Sequence, residues 1–275
     1  MLFRSSPSGP EPKKKPYGHL IAAGAAQEGA NFISPTVHRV VYRELRYREP
    51  GALIDDNRVY RNLLASMPLA LNLFGPMKSD TGLAERWVAE CAPELAGTVC
   101  NIQFEHSPGR GDPRFTADGT AFDVFISLRR PDGAKAFLAI EVKFSEGMNE
   151  PEPRLRERYD ELSSSFGLFI NGGDPALRKN PLQQLWRQHM LAQSIVGSGL
   201  CDAGRVLVIA PSLNTQVQRA TDRYRRTLTD GEGLVGFQTL SLEEAVHAVA
   251  LAGNAEHARA LALRYTDFSD VHALI

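Results

Sequence analysis

Apolar and polar residues change rhythm along this chain, and the changes divide it into elements. Around PTVHRVVYRELRYR, Val37, Val40, Val41, Glu44 and Leu45 recur at helical spacing on one face, while Arg39, Arg43 and Arg46 occupy the other. Helical patterning covers residues 19–78, with breaks at Pro50-Gly51 and Gly75-Pro76. A further helix is predicted through LAERWVAECAPEL, capped by Ser79 or Asp80, with Leu83, Trp87, Val88 and Cys91 as its buried stripe. The pattern then turns to strands: TVCNIQFE (98–105), AFDVFISL (121–128) and AFLAIEVKF (136–144). A loop rich in Gly and Pro, SPGRGDPRFTADG, separates the first two. The second and third are joined by RRPDGAK, whose Asp132-Gly133 signals a hairpin.

Beyond a polar segment at 145–180, Asn180-Pro181 is expected to open a strong helix, PLQQLWRQHMLAQSIVG, with proline in its first turn. RVLVIAP (205–211) is wholly apolar, as in a strand covered on both faces. LVGFQTL predicts one more strand. Two helices follow it, the first opened by the capping box Ser241-x-x-Glu244. Residues 1–18, rich in Pro, Gly, Ser and Lys, read as a flexible arm. The order helix, three strands, helix, strand emerges from patterning alone and predicts an α/β fold.

Composition narrows the class without choosing a function. At 275 residues, with 43% hydrophobic and 23% charged residues, the chain can bury one sizeable core, or one core with an appended subdomain. A net charge of −1 provides no overall attraction to nucleic acid, so such binding must rest on local clusters. These are Lys13–Lys15, the Arg39–Arg61 region, and Arg219, Arg223, Arg225 and Arg226. Cys91, Cys100 and Cys201 form no C-x-x-C pair, which argues against a disulfide framework or zinc site and fits a reducing cytosol. No run of about 18 apolar residues exists, and the N-terminus lacks the apolar region of a secretory signal. A cytoplasmic protein without a membrane span is expected.

Strand alternation isolates the candidate chemistry. In 136–144, Ala136, Leu138, Ile140, Val142 and Phe144 share one face, and Phe137, Ala139, Glu141 and Lys143 the other. One face stays apolar while its opposite turns ionic toward the strand's end. On the hairpin partner, Asp123 interrupts an apolar run in the same way. Ionic side chains in such strands are costly unless paired or metal-bound. Two carboxylates on paired strands suit a hard divalent cation such as Mg²⁺, which keeps waters for substrate phosphates to replace. A lysine beside them can neutralise charge developing on a phosphate. A solvated Glu-x-Lys edge pair is the ordinary alternative, and the surrounding Val, Ile, Phe and Ala argue against it.

Asp123, a gap of seventeen residues, then Glu141-Val142-Lys143 resembles the PD-(D/E)XK nuclease signature on that superfamily's helix, three strands, helix, strand core. Phe122 stands where the signature has proline. RNLLASMPLALNLFGPM (61–77), SPGRGDPRFTADGTAFDVFI and NPLQQLWRQHMLAQSI further resemble a restriction-endonuclease-like bacterial family, over most of the chain beyond residue 18. The resemblance implies a restriction-endonuclease-like α/β core over residues 79–275, a mixed central sheet flanked by helices that includes a C-terminal α/β extension. An N-terminal helical region, 19–78, would pack on it. It also implies Mg²⁺ or Mn²⁺ as cofactor, with Asp123, Glu141 and Val142 at the metal and Asp123, Glu141 and Lys143 in catalysis. Two auxiliary positions come from the same analogy: an acidic residue on the first helix, with Glu85 the best match and Glu90 a weaker one, and a glutamine on the second, Gln184 or Gln183. No tyrosine follows that glutamine four residues later; Arg187 and Gln188 occupy that neighbourhood instead. His189 lies near the apolar stripe of its helix and reads as a core histidine.

Arg110 and Arg114, in the loop before Asp123, are the candidate phosphate contacts. The expected activity is metal-dependent phosphodiester hydrolysis of nucleic acid, with DNA the favoured substrate. The alternative is a nuclease-fold protein that binds nucleic acid or a partner protein without cutting.

Overall fold

The computed structural model describes residues 18–231 and 233–269. The arm expected over 1–18, with Lys13–Lys15, therefore lies outside the described residues apart from Gly18. The chain opens with four helices, α1 (Ala23–Gln27), α2 (Pro35–Arg46), α3 (Asp56–Arg61) and α4 (Ser66–Ser79). Ser34 caps α2 by accepting from Val37 N, and Pro35 takes the first helical position, where no N–H is needed. In α4 every residue from Pro68 to Met77 is buried, so its apolar surface runs all the way round.

Asp80, rather than Ser79, caps α5 (Thr81–Cys91), accepting from Leu83 N at 3.2 Å. The helix stops four residues short of Leu95. Pro93 excludes a helical conformation at the residue before it, and 93–95 form a separate 3-10 turn. Strands β1 (Thr98–His106), β2 (Phe122–Arg129) and β3 (Lys135–Val142) follow. Between β2 and β3, Gly133 adopts φ +87°, as the hairpin requires.

Then come α6 (Glu157–Ser165), α7 (Gln183–Gly197), β4 (Ala203–Ala210), α8 (Thr215–Arg225), β5 (Gly236–Ser241), α9 (Leu242–Leu251) and α10 (Ala255–Tyr265). Pro181 falls outside α7, whose N-cap is Leu182, and not within its first turn as the pattern suggests. Ser241 and Glu244 form the expected reciprocal cap of α9. Patterning misses α6 and α8, because few apolar residues mark them. α8 buries only Val217, Ala220, Thr221 and Tyr224 beneath a charged exterior.

The five strands run in the order β1-β2-β3-β4-β5, antiparallel over the first three and parallel over the last three. The sheet is thus mixed and flanked by helices on both faces, consistent with a restriction-endonuclease-like α/β fold. One face carries Val124, Ile126, Leu138, Ile140 and Val142. It packs against α2, α4, α5, α9 and α10 in one buried cluster with Leu73, Phe74, Trp87, Val249 and Leu261. The opposite face carries Phe125, Phe137, Ala139, Val206 and Val208 beneath α6, α7 and α8. Helices α2, α3 and α4 and the sheet therefore share one core.

Candidate active site

The alternation along β3 holds in three dimensions. Even-numbered residues enter the cluster with α4 and α5, and Phe137 and Ala139 face α7. Glu141 continues this second face to the strand's end and Lys143 follows just beyond it, both buried. On β2, Asp123 lies one residue before the Val124–Ile140 pair, which brings it beside Glu141. Its Oδ2 accepts from Val142 N at 2.7 Å. Lys143 Nζ lies 2.8 Å from Glu141 Oε1 and 2.8 Å from Glu150 Oε1. Glu150, in the segment between β3 and α6, is a carboxylate partner that the strand pattern does not reveal.

One face of α7 closes the site from the side. Gln184 Nε2 donates to Glu141 Oε1 at 2.7 Å, and Gln188 Nε2 donates to Glu141 Oε2 at 2.5 Å and to Ala121 O at 3.0 Å. The i, i+4 spacing places both amides over the same turn side, toward the sheet. Between them Arg187 donates to Thr120 Oγ1 and to Gln183 Oε1. Of the two candidate glutamines, Gln183 thus supports Arg187 and Gln184 reaches Glu141. Asp118 gathers the loop before β2: it accepts from Thr116, Thr120 and Tyr159 hydroxyls at 2.6–2.7 Å, with Arg187 at 3.5 Å.

These residues open into a cleft of about 640 Å³ lined by Asp123, Glu141, Lys143, Glu105, Gln184 and Gln188 on its acidic side. Arg58, Arg154, Arg156 and Arg187 also line it. Glu105, near the end of β1, lies in a strand that carries no motif to mark it in the sequence. Its burial, together with the Glu141 carboxylate, pushes its pKa up to about 7 against the pull of Arg110. Burial and the adjacent Glu141 likewise raise Asp123 well above the usual carboxylate range. Burial pushes Lys143 down, but Glu141, Glu150 and Asp123 overcome it and hold the ammonium above its ordinary range.

Four candidate residues lie elsewhere. Glu85 accepts from Val99 N at 3.0 Å and braces α5 against β1; it does not line the cleft, and neither does Glu90. Glu105 lines the cleft where Glu85 does not, since the end of β1 and not α5 reaches it. Arg110 is locked onto Glu49 Oε1, Gly119 O and Glu105 O, so it clamps the loop and does not face the cleft. Arg114 turns to solvent and forms a bidentate pair with Asp112. His189 is buried between Tyr224 Oη and Val235 O, a satisfied core histidine.

The donor set fits a hard divalent cation. Asp123 and Glu141 present carboxylate oxygens, with Glu105 near them, and Val142 has only its backbone to offer. Two buried acceptors, Gln184 Oε1 and Gln188 Oε1, have no hydrogen-bond partner. Such orphans are costly, and a cation with its bound waters would satisfy them. Among the described residues no group of three or more His, Cys, Asp or Glu side chains is placed to hold a metal ion. A cation held here would rest on few protein oxygens and retain water or substrate ligands, as Mg²⁺ does.

A family model described as the PD-(D/E)XK nuclease superfamily matches residues 3–267. Comparison with curated proteins and with solved structures gives no match. Among the described residues no helix is long and apolar enough to cross a membrane.

Proposed function

Because the chain belongs to the PD-(D/E)XK nuclease superfamily, whose members are generally nucleases that use divalent metals, we propose that its cleft hydrolyses phosphodiester bonds of DNA with Mg²⁺ or Mn²⁺. The observation that carries this reading is the convergence of Asp123, Glu141 and Lys143 on the floor of an open cleft whose walls bear arginines. Asp123 and Glu141 would hold the cation. When bound, it supplies polarisation of a phosphoryl oxygen and a water of lowered pKa.

The chain's own groups do the rest. Lys143 keeps its proton at neutral pH and places positive charge beside the phosphate, where negative charge grows in the transition state. Gln184 and Gln188 fix both oxygens of Glu141, so the carboxylate need not reorient as charge develops. Arg187 and Asp118 hold the chain entering β2, which positions Asp123.

The test is conversion of supercoiled plasmid to nicked and linear forms by purified protein with Mn²⁺, beside Asp123→Asn. Cleavage that vanishes in the variant is expected. Binding of DNA without cleavage under any divalent metal would replace this reading with that of a nuclease-fold binding protein.

A further inference from the structure

The outward face of α2 carries a charge pattern that the cleft does not explain. Arg39, Arg43 and Arg46 recur at i, i+4 and i+7 and are exposed. None has a carboxylate partner among the described residues. Arg39 donates to Thr36 Oγ1, and Arg46 stacks 5.3 Å from the centroid of the Tyr42 ring. The one acidic residue of α2, Glu44, points away to Lys78 at 2.9 Å. Tyr42 lies within the stripe at 56% exposure, and Tyr47, at the C-cap of the helix, is 85% exposed. A nucleic-acid surface uses both kinds of group: cations for phosphates and rings for bases.

We propose that this face is a second nucleic-acid contact, which grips the phosphate backbone of the substrate beyond the cleft. The proposal rests on the nucleic-acid reading of the cleft and extends its footprint. Continuity supports it, because the segment that leaves Tyr47 leads to Leu53, Asp55 and Arg58, all of which line the cleft. The helix α8 offers an internal comparison. Arg219, Arg223 and Arg226 form a stripe of equal charge there, but Asp222 interrupts it and no exposed aromatic joins it. The two stripes have the same number of arginines and differ in the intervening carboxylate and the exposed tyrosines.

The experiment compares full-length wild type, the triple variant Arg39→Ala/Arg43→Ala/Arg46→Ala and the charge-matched triple Arg219→Ala/Arg223→Ala/Arg226→Ala. Fluorescence anisotropy with Ca²⁺ reads binding to labelled duplexes of about 12 and about 40 base pairs, the shorter extending only about 20 Å to either side of its centre at roughly 3.4 Å per pair. The α2 triple is expected to weaken binding of the long duplex about tenfold or more. Its salt dependence should flatten by about 2–3 in log–log slope, at roughly 0.9 per phosphate contact. Binding of the short duplex should change less than about twofold. The α8 triple should resemble wild type on both. Equal weakening by the two triples, unchanged binding of the long duplex by the α2 triple, or equal losses on both lengths overturns the proposal; so does a wild type that binds neither duplex. Mn²⁺-dependent cleavage of the same duplexes by wild type is scored separately. A protein that binds through α2 but never cuts contradicts the catalytic reading and leaves this one standing.

Discussion

Gln188 and Glu141 meet at 2.5 Å across the interface of α7 and β3, and the same Gln188 amide reaches Ala121 O at 3.0 Å. One side chain therefore ties the carboxylate on β3 to the chain that enters β2 two residues before Asp123. The relative position of the two carboxylates is set from α7 as much as by the β2–β3 ladder.

Gln188→Ala should accordingly weaken Mn²⁺ binding about 10- to 100-fold, the range for losing a group that orients a metal ligand. Calorimetric titration reads this directly, with circular dichroism to confirm folding. Gln188→Asn, whose amide is one methylene too short, should behave like the alanine variant. Metal binding equal to wild type in folded Gln188→Ala would reduce the residue to core packing.

Glu150 occupies Lys143 from the cleft side and is itself half-exposed. A phosphate approaching Lys143 must displace it. Glu150→Gln should therefore tighten DNA binding measured with Ca²⁺ by about two- to fivefold, the scale of one weak ion pair, with turnover at saturating substrate preserved. Weaker binding in the variant would mean that Glu150 supports the site and does not compete for it.

Lys143 and Asp123 should fail in different ways. Lys143→Gln retains a donor toward Glu141 but no charge, and single-turnover cleavage should fall by about 10² or more at every metal concentration, as for loss of one preorganised electrostatic donor. Asp123→Asn should lose cleavage through weakened metal binding, partly restored by excess Mn²⁺. Equal rates for wild type and folded Lys143→Gln would make the lysine a structural counter-ion only.

His189 gives the fold a pH dependence of defined sign. Burial holds its pKa at about 4 in the folded protein, below the ordinary value of 6.5, although the bond to Val235 O pulls the other way. Above pH 6.5 the imidazole is neutral in both states and its contribution to stability is complete. Between 6.5 and 4 the unfolded chain binds a proton that the folded one refuses, so stability falls as pH falls, by about 3 kcal/mol near pH 4. Urea unfolding at pH 7 and pH 4.5 should show a smaller acid loss in His189→Gln than in wild type. An identical loss in both would assign acid sensitivity to other groups.

Much of this architecture is legible in the sequence because it depends on local rules. Alternation along 136–144 places Glu141 and Lys143 on one face whatever the rest of the chain does, and Asp132-Gly133 sets the hairpin that brings Asp123 beside them. Ser241 and Glu244 cap α9 across three residues. Tertiary structure alone decides which charged and amide groups meet. Arg110 pairs with Glu49 across 61 positions, and Gln188 reaches Glu141 across 47. Glu85 and Glu105 are each a single carboxylate on a half-buried element, and only the packing of α5 behind β1 turns the first to a strand amide and leaves the second at the cleft floor. Periodicity fixes the face on which a side chain emerges. Its partner depends on how whole elements pack, because hydrogen bonds and ion pairs act over a few ångströms of space and carry no signature of separation along the chain.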